Sequence, residues 1–419
     1  MKKIIAGMLL GAGFCFSVQA ATATWNGPVA PTTGTADGSW LTGTNWVGSV
    51  TPVFNNTLDI TYTNGGMSWI GNQNPTIRSL TFADSVDTDI NLRVLNNGSI
   101  GAKNLTFGSA GGAAINIAAG ATGKINIGQG SNGGIIVLAE DLSITHNGDG
   151  SLSFLKRVDG SGGIVKRGSG KLILAVSNSY TGVTTLNAGA LDINNTNALG
   201  TGVLVIDGGT IDNTSAATIS NANNNAVTIN GNFAFTGTQD LDLGAGVTTL
   251  GTAAGTSRTI TANGANTLTL GGIIANGTTA NQLIKDGLGT LSLNGANTYN
   301  GATIVLAGVL IANADHVFAG STNIAVASGA TLTLTNGAEN NYINDSASLI
   351  LTSGSILNLN FSGKDTVSRL SLDNGATWLS NGTYTAAQLA ALGAGGTYTG
   401  TGSLKVGKSV LRLIGITSP

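Results

Sequence analysis

The stretch "KRGSGKLILAVSNSYTGVTTLNAGAL", Lys166 to Leu191, returns as "KDGLGTLSLNGANTYNGATIVLAGVL", Lys285 to Leu310. The two stretches align without a gap at a separation of 119 residues, and 13 of the 29 positions that begin at Lys166 are identical in the second copy. Self-similarity at long range is the sequence signature of repeat architectures. We therefore expect that one supersecondary unit occurs twice in the chain.

The repeat alternates apolar and polar residues with a period of two. "KLILAV" and "TLSLNG" place Leu or Ile at every second position, and "TLTLGG", "TIVLAG", "ATLTLTNG" and "SILNLNF" continue the pattern elsewhere. This alternation is typical of half-buried strands, and Gly, Asn and Asp-Gly between the runs turn the chain. The sequence therefore predicts an all-β chain, with one short helical segment at Ala386 to Leu392.

Short strands closed by turns every ~8–12 residues suit a sandwich, a barrel or a β-solenoid. The solenoid is favoured by the repeat itself and by the many Thr and Asn residues, which can form ladders between successive coils. It is also favoured by the low charge, since only 9% of the residues are charged. Stacked coils place like residues about 4.8 Å apart, so a repeated charge would repel itself at every step.

Each type of residue in the repeat has an expected structural place. The leucines point inward, the glycines form corners, and an Asn and a Tyr lie at the next corner before a Thr opens another strand. These positions in the first copy are Lys166, Gly168, Gly170, Leu172, Leu174, Asn178, Tyr180, Gly182, Thr184, Gly189 and Leu191. Those in the second copy are Lys285, Gly287, Gly289, Leu291, Leu293, Asn297, Tyr299, Gly301, Thr303, Gly308 and Leu310.

The pattern K-x-G-x-G-x-L-x-L-x-x-x-N-x-Y-x-G-x-T, followed by A-G-x-L, resembles the autotransporter-associated β-strand repeat, also called the passenger-associated repeat. The segments Thr24 to Pro52 and Asp365 to Val406 also look like parts of large secreted proteins that carry it. The resemblance implies a right-handed, single-stranded parallel β-helix with N- and C-terminal caps. It further implies a protein that is exported to the bacterial cell surface or beyond.

One departure from that family concerns export. Autotransporters end in a membrane barrel of roughly 250–300 residues, whereas the last repeat-like strand here is soon followed by "KVGKSVLRLIGITSP". We therefore expect no C-terminal translocator barrel in this chain, and passage through an outer membrane would need separate export machinery.

The first residues, "MKKIIAGMLLGAGFCFSVQA", combine two lysines, an apolar run and small residues, which is typical of a secretory signal peptide cleaved near Ala20. Cleavage removes Cys15, the only cysteine, and the mature chain is expected to lack a transmembrane segment and to be secreted or held at the cell surface. The expected organisation is a signal peptide at 1–20, an N-terminal Trp-containing cap region at 21–100, a β-helix body at 101–363 with repeats at 164–194 and 283–313, and a C-terminal β cap at 364–419.

The five tryptophans lie near the two ends of the chain, which suggests that they cover the terminal coils. Burial is the commoner fate of large aromatic side chains, so caps are favoured over exposed rings that stack on sugars. The residues concerned are Trp25, Trp40, Trp46, Trp69 and Trp378.

Acid and base chemistry has few candidate residues. The only glutamates are Glu140 and Glu339, and Glu140 is adjacent to Asp141, so on a strand the two point to opposite faces. A glycosidase instead needs two carboxylates that converge across one bond. With a net charge of −2 and no basic stripe, nucleic acid is not an expected partner.

Metal and cofactor sites are not expected either. Asp84, Asp87 and Asp89 lie within six residues, but the Gly and the bidentate Glu of a calcium loop are absent, so they are interpreted as a solvated turn. His146 and His316 are too few for a three-histidine zinc site. No cofactor, metal ligand or catalytic residue is assigned from the sequence.

The leading functional hypothesis is a non-catalytic secreted or cell-surface β-helix protein with a structural or adhesive role, in contact with extracellular polysaccharide or surface components. The alternatives are a polysaccharide-cleaving β-helix lyase or hydrolase and a split autotransporter passenger that needs a separate barrel. The charge-rich patch on which the enzyme hypothesis depends is Asp149, Lys156, Arg157, Asp159, Lys166 and Arg167.

Overall fold

The computed structural model describes residues 21–27, 39–70, 73–94, 103–109, 112–129, 133–251 and 257–407. The expected signal peptide at 1–20, its cleavage site and the end of the expected C-terminal cap lie outside the described residues. Within these ranges the chain forms short strands, a 3₁₀ turn at Gly43–Asn45 and one α-helix. The all-β prediction is confirmed.

The strands are two to six residues long, as expected for coils that turn every few residues. The first thirteen are β1 (Thr22–Trp25), β2 (Asp59–Tyr62), β3 (Gly66–Trp69), β4 (Thr76–Ile77), β5 (Ser79–Phe82), β6 (Ile90–Arg93), β7 (Leu105–Phe107), β8 (Ala113–Ile117), β9 (Ile125–Ile127), β10 (Ile136–Leu138), β11 (Leu142–His146), β12 (Ser151–Phe154) and β13 (Val158–Gly160).

The strands of the first repeat copy and those between the copies follow. They are β14 (Ile164–Arg167), β15 (Lys171–Leu174), β16 (Thr184–Leu186), β17 (Ala190–Ile193), β18 (Leu204–Ile206), β19 (Thr210–Asp212), β20 (Ile219–Ser220), β21 (Val227–Ile229), β22 (Phe233–Phe235), β23 (Leu241–Asp242), β24 (Thr248–Thr249), β25 (Ser257–Ala262), β26 (Thr267–Leu270) and β27 (Ile274–Ala275).

The last group contains the second copy and the C-terminal elements. It comprises β28 (Gln282–Asp286), β29 (Thr290–Leu293), β30 (Thr303–Val305), β31 (Val309–Ala312), β32 (Asn323–Val326), β33 (Thr331–Thr335), β34 (Ser348–Leu351), β35 (Ile356–Asn360), β36 (Lys364–Val367), β37 (Arg369–Ser371), β38 (Gly382–Thr385), α1 (Ala386–Ala391), β39 (Thr397–Gly400) and β40 (Ser403–Val406).

Successive strands along the chain enter different sheets, and each strand pairs in parallel with a strand one coil away. This connectivity makes an 11-stranded sheet from β1 to β27, a 14-stranded sheet from β3 to β37, an 8-stranded sheet from β20 to β39 and a 4-stranded sheet of β4, β7, β10 and β13. Among the described strand pairs, only β38 and β40 run antiparallel. The predicted parallel β-helix is therefore the observed architecture.

Apolar side chains of successive coils stack inside the helix. In the 14-stranded sheet, Phe154 pairs in register with Ile127 on one side and Leu174 on the other, and Leu174 pairs with Ile193. All four side chains are buried. Because the side-chain period of a strand is two, a slip of one residue would turn this whole row outward, so the core fixes the register.

Polar side chains form ladders on the outside, as the many Thr and Asn residues predicted. Asn126 Nδ2 donates to Asn91 Oδ1 at 2.9 Å between neighbouring coils. Asp192 and Asp212 are a departure from the expectation that stacked charges are avoided, because they pair directly on β17 and β19. Each carboxylate has its own donor, with Lys171 Nζ 3.0 Å from Asp192 Oδ2 and Thr238 Oγ1 2.6 Å from Asp212 Oδ2.

The two repeat copies lie on different pairs of sheets. The first copy, β14 to β17, alternates between the 11-stranded and the 14-stranded sheet, whereas the second copy, β28 to β31, alternates between the 14-stranded and the 8-stranded sheet. Between the copies the chain visits all three sheets in each coil. The second copy is therefore displaced by one face around the helix axis.

The two ends are built differently. At the N-terminal end, β1, β2 and β5 already belong to the 11-stranded sheet, and β3 and β6 to the 14-stranded sheet. The aromatic residues Trp25, Trp40, Trp46, Phe54 and Tyr62 pack together at that end. At the other end, α1 and the three-stranded sheet β36-β40-β38 follow the last coils. The division into caps and body at 100 and 363 stays a prediction.

The predicted helical segment is α1, which begins after Thr385 and ends at Ala391. Thr385 Oγ1 accepts from the backbone N–H of Gln388, and the Gln388 side chain accepts from the Thr385 N–H, which is a capping box. No described helix is long and apolar enough to cross a membrane.

Candidate functional site: the lysine corners of the repeat

The most distinctive polar group of the first copy is the ammonium of Lys166. The residue lies on β14 between Ile144 and Leu186 of the neighbouring coils, and it is fully buried. Its Nζ donates to the carbonyl oxygens of Arg167 at 2.9 Å, Gly168 at 2.9 Å and Ala188 at 3.2 Å. The lysine thus ties its own corner to the corner of the next coil.

The second copy reproduces this arrangement. Lys285 is fully buried on β28, and its Nζ donates to the carbonyl oxygens of Asp286 at 2.8 Å, Gly287 at 2.7 Å and Ala307 at 3.0 Å. The three acceptors occupy the same positions relative to the lysine in both copies. We call each set of three carbonyl oxygens, with its lysine, a lysine corner.

In a lysine corner, all the N–H donors of the ammonium group are already used in hydrogen bonds. Burial lowers the pKa of the Lys166 amine to about 8, and it lowers that of Lys285 to about 8 as well. An ammonium has three N–H donors and no lone pair. Because three carbonyl oxygens accept them, the charged form leaves no free donor that could bind a ligand.

Glycines make room for the lysine corner. Gly168 (φ +75°) and Gly189 (φ +74°) adopt left-handed conformations that favour glycine. A Cβ on Gly189 would lie 2.4 Å from the Gly168 carbonyl oxygen and 2.7 Å from Lys166 Nζ. In the second copy Gly287 and Gly308 have φ of +77° and +63°. Two of the predicted corner glycines per copy are therefore required by the backbone.

A buried asparagine forms the next corner. Asn178 Oδ1 accepts from the Val158 N–H at 2.8 Å, and its Nδ2 donates to the Ala198 carbonyl at 2.6 Å, so it joins the coils on both sides. Asn297 makes the equivalent bonds, from the Ile274 N–H at 2.7 Å and to the Val317 carbonyl at 2.9 Å. These bonds satisfy backbone groups that the irregular corner leaves without strand partners.

The tyrosine of each copy closes the same corner from inside. Tyr180 OH lies 2.6 Å from Thr184 Oγ1, and Tyr299 OH lies 2.6 Å from Thr303 Oγ1. Both tyrosines are fully buried, and burial raises their pKa well above the usual value. The remaining motif leucines are all buried in the core, namely Leu172, Leu174, Leu191, Leu291, Leu293 and Leu310.

The charge-rich patch of the enzyme hypothesis does not converge on one point. Lys166 is inside the helix, Arg157 pairs with Asp159 at 3.1 Å, and Arg167 donates to Ser143 Oγ at 2.8 Å. In the neighbouring acidic pair of Glu140 and Asp141, Asp141 Oδ1 accepts from the Gly163 N–H at 2.7 Å. The patch is thus split between the interior and separate surface contacts.

The acidic cluster of the sequence is used in part by the next coil. Asp84 Oδ1 accepts from the Gly120 N–H at 2.7 Å, and Asp89 Oδ1 accepts from the Lys124 N–H at 2.9 Å. In the described part of the chain, no group of three or more His, Cys, Asp or Glu side chains is arranged to hold a metal ion.

The outer face of the first coils carries a shallow depression of about 430 Å³ lined by hydroxyl, amide and charged groups. In it, Arg78 Nε donates to Asp59 Oδ1 at 2.8 Å, a second Arg78 nitrogen contacts Asp59 Oδ2, and Ser79 Oγ donates to Asp59 at 2.6 Å. Burial opposes ionisation of Asp59, but the hydrogen bonds from Arg78 and Ser79 hold its pKa below the usual value. Its charges are therefore already paired.

The tryptophans divide into buried and exposed rings. Trp25, Trp40 and Trp46 are at most 2% exposed, and Trp40 Nε1 donates to Tyr62 OH at 3.0 Å. Trp378, in contrast, is 38% exposed, and the Arg369 guanidinium carbon lies 4.8 Å from its ring centroid. Sequence reasoning did not find this contact, because nothing in the spacing of the two residues marks it.

Comparison with known proteins bears on the repeat directly. One family model, described as Passenger-associated-transport-repeat, matches residues 164–193 and 283–312. The chain is also 32% identical over 156 residues to a protein named Adhesin BmaC autotransporter from Brucella suis biovar 1 (strain 1330). That alignment covers 36% of this chain and 4% of the relative, so the chain spans a small fraction of the relative's length.

No solved structure matches the chain significantly. The two family matches coincide with the segments that form the lysine corners and the asparagine corners. The chain therefore carries two passenger-associated transport repeats.

Proposed function

We propose that this protein is a non-catalytic, secreted or surface-associated β-helix that acts as an adhesive passenger. In this proposal the helix is a stiff scaffold, and contacts are made by its outer faces and its ends. The partners are extracellular polysaccharide or other surface components, and export depends on separate machinery. The expected signal peptide, cleaved near Ala20, would direct the chain out of the cytoplasm.

One structural observation carries the proposal: the parallel sheets run along most of the described chain. Fourteen strands at about 4.8 Å per strand extend over about 60 Å. Each repeat uses its charged and polar motif side chains to join neighbouring coils. The repeat residues thus serve the architecture, and an extended scaffold of this kind offers many equivalent outer positions for weak contacts.

The similarity to a protein named an adhesin supports the same proposal. It is partial, because the aligned part is a small fraction of that relative. It agrees with the family match, because the relative is an autotransporter by name and the repeat found here is described as passenger-associated. The polysaccharide-cleaving alternative depends on a charged patch that the fold divides, so no arrangement of described residues favours it.

The experiment that tests the proposal uses the mature chain from Ala21 to Pro419, coupled to beads and offered to cultured cells and to immobilised polysaccharides. The same samples are assayed for new reducing ends and for unsaturated sugar products. We expect retention of beads on at least one surface and no new chain ends. New chain ends would refute the non-catalytic proposal, and absence of retention on every surface would refute the adhesive role.

A second experiment tests location in the producing cell. Antibody labelling of intact cells, together with fractionation of the medium, periplasm and cytoplasm, is expected to find the mature chain outside the cytoplasm. Mass spectrometry of the N-terminus is expected to begin at Ala21. A cytoplasmic chain with an intact N-terminus would contradict both expectations.

A further inference from the structure

The loop after β37 is bridged by the carboxylate of Asp373. Asp373 Oδ1 accepts from Ser371 Oγ at 2.7 Å and from the Thr377 N–H at 2.8 Å, and Asp373 Oδ2 accepts from Thr377 Oγ1 at 2.6 Å. These bonds lower the pKa of Asp373 to about 2, with those from Thr377 contributing most. Both oxygens of the Asp373 carboxylate are therefore used as acceptors for Ser371 and Thr377.

The backbone of the loop is also fixed. Asn374 and Gly375 both have positive φ, of 61° and 86°, as a tight reversal requires. The Asn374 N–H donates to the Leu351 carbonyl at 3.0 Å, and the Leu379 N–H donates to the Leu370 carbonyl at 2.8 Å. The loop is therefore anchored on both sides to the last coils of the 14-stranded sheet.

This hydrogen-bonded loop presents Trp378. Among the described residues, it is the most exposed tryptophan, tyrosine or phenylalanine, at 38%. Because the backbone of Trp378 is anchored and its ring packs against Arg369, we expect the indole to lose less conformational freedom on ligand binding than an unsupported side chain would, which favours binding. The other described tryptophans are buried or half-buried.

Arg369 lies against the same ring, with its guanidinium carbon 4.8 Å from the centroid. It is an exposed residue of β37, and within the described ranges it has no ion-pair partner and no side-chain hydrogen bond. The guanidinium is a planar fork of donors that suits carboxylates. Its position is set by the ring, while its donors stay available.

We propose that Trp378 and Arg369 form a binding site for an acidic polysaccharide built from uronic acid units. One sugar ring stacks its C–H face on the open part of the indole, and the carboxylate of the same or the adjacent unit pairs with the Arg369 guanidinium. A flat apolar ring beside an unpaired cation matches a ligand with an apolar face and a carboxylate. This inference rests on the proposed adhesive function and names the ligand class.

The test uses the mature full-length chain and measures binding of polygalacturonate oligosaccharides by calorimetry, with neutral dextran oligosaccharides as the comparison. We expect Trp378→Ala to weaken polygalacturonate binding by about tenfold or more, and Arg369→Gln by about tenfold. Added salt should weaken binding by the wild type more than by Arg369→Gln, because the ion pair is exposed and screened.

The matched control for charge is Arg157→Gln, which removes an exposed arginine that pairs with Asp159 elsewhere on the helix. It is expected to leave binding unchanged. Asp373→Asn keeps both ligand-binding side chains but weakens the loop, and is expected to reduce affinity by a smaller factor than Trp378→Ala. Thermal unfolding of each variant checks that the helix is intact.

Equal polygalacturonate affinity in wild type and Trp378→Ala would overturn the site, as would binding of dextran as tightly as polygalacturonate. If the wild type binds no polygalacturonate but its beads still adhere to cells, the site is refuted and the adhesive function stands. If the beads also fail to adhere to every surface, the adhesive function is refuted as well.

Discussion

Lys166 and Lys285 form the same three-carbonyl corner on different faces of one helix. Lys166 lies on the 11-stranded sheet and Lys285 on the 14-stranded sheet. Coil lengths explain the displacement, because Ile164 pairs with Thr184 only 20 residues on, whereas Thr248 pairs with Ile274 26 residues on. The repeat therefore forms the same corner between the 11- and 14-stranded sheets as between the 14- and 8-stranded sheets.

Replacing either lysine with methionine tests this equivalence. Lys166→Met and Lys285→Met keep an unbranched side chain but leave three buried carbonyl oxygens without their donor. We expect each to lower the free energy of unfolding by about 3 kcal/mol, and the two losses to agree within about 1 kcal/mol. Urea unfolding followed by circular dichroism measures both.

The control for the lysine variants is Lys364→Met, at an exposed position of β36. It should change the unfolding free energy by less than about 0.5 kcal/mol. A loss confined to one lysine corner would contradict the equivalence, since the hydrogen-bond partners of the two ammonium groups are the same in kind.

Gly189→Ala separates steric contact from backbone strain. Gly189 and Gly329 have φ of +74° and +77°, but a Cβ on Gly189 would lie 2.4 Å from the Gly168 carbonyl oxygen, whereas nothing lies within 4 Å of one on Gly329. We expect Gly329→Ala to cost about 1 kcal/mol from strain alone, and Gly189→Ala to cost about 3 kcal/mol or more. Equal costs in thermal and urea unfolding would show that the corner yields to the added methyl group.

Asn178→Asp tests the asparagine corner. The aspartate would place an acceptor oxygen against the Ala198 carbonyl, where Nδ2 now donates at 2.6 Å. We expect a loss of at least about 2 kcal/mol in unfolding free energy at pH 7. Asn300→Asp is the control, because exposed Asn300 uses its Oδ1 as an acceptor from Asn276 Nδ2, which an aspartate retains. A loss of similar size in both variants would contradict the proposed bridging role.

Much of this fold follows from local sequence signals. Alternation of Leu and polar residues predicted the strands around Leu172 and Leu291, and the segment after Thr385 predicted α1. Both signals are local, because the side-chain period of a strand and the cap of a helix depend on neighbours in sequence. The face that each repeat copy occupies depends instead on the summed lengths of the coils between Lys166 and Lys285, which no local pattern contains.

The candidate sites show the same limit. The motif positions were assigned to corners and core from spacing alone, but the sequence did not reveal that the Lys166 ammonium is buried among carbonyl oxygens. Nor did it reveal the contact between Arg369 and Trp378, because that contact depends on the reversal at Asn374. A contact between two residues that a loop brings together can be predicted only when the three-dimensional path of that loop is known.

We expect acid to lower the free energy of unfolding of the β-helix through the titration of His146. Burial, assisted by the nearby charge of Lys166, lowers the pKa of His146 to about 4 in the folded chain, against 6.5 for an ordinary histidine. The folded state therefore favours the neutral ring. The resulting stability is complete above pH 6.5 and is lost as the pH falls from 6.5 to about 4, because the unfolded chain takes up the proton first.

The expected loss is up to about 3 kcal/mol of unfolding free energy. Asp365 acts in the opposite direction, because burial raises its pKa to about 7, so its contribution is present below pH 3.8 and is lost as the pH rises to 7. Comparing wild type with His146→Phe at each pH therefore isolates the histidine. The urea midpoint of the wild type, measured relative to that of His146→Phe at the same pH, should fall as the pH goes from 7 to 4. A constant difference between the two proteins would show that His146 takes up its proton equally well in both states.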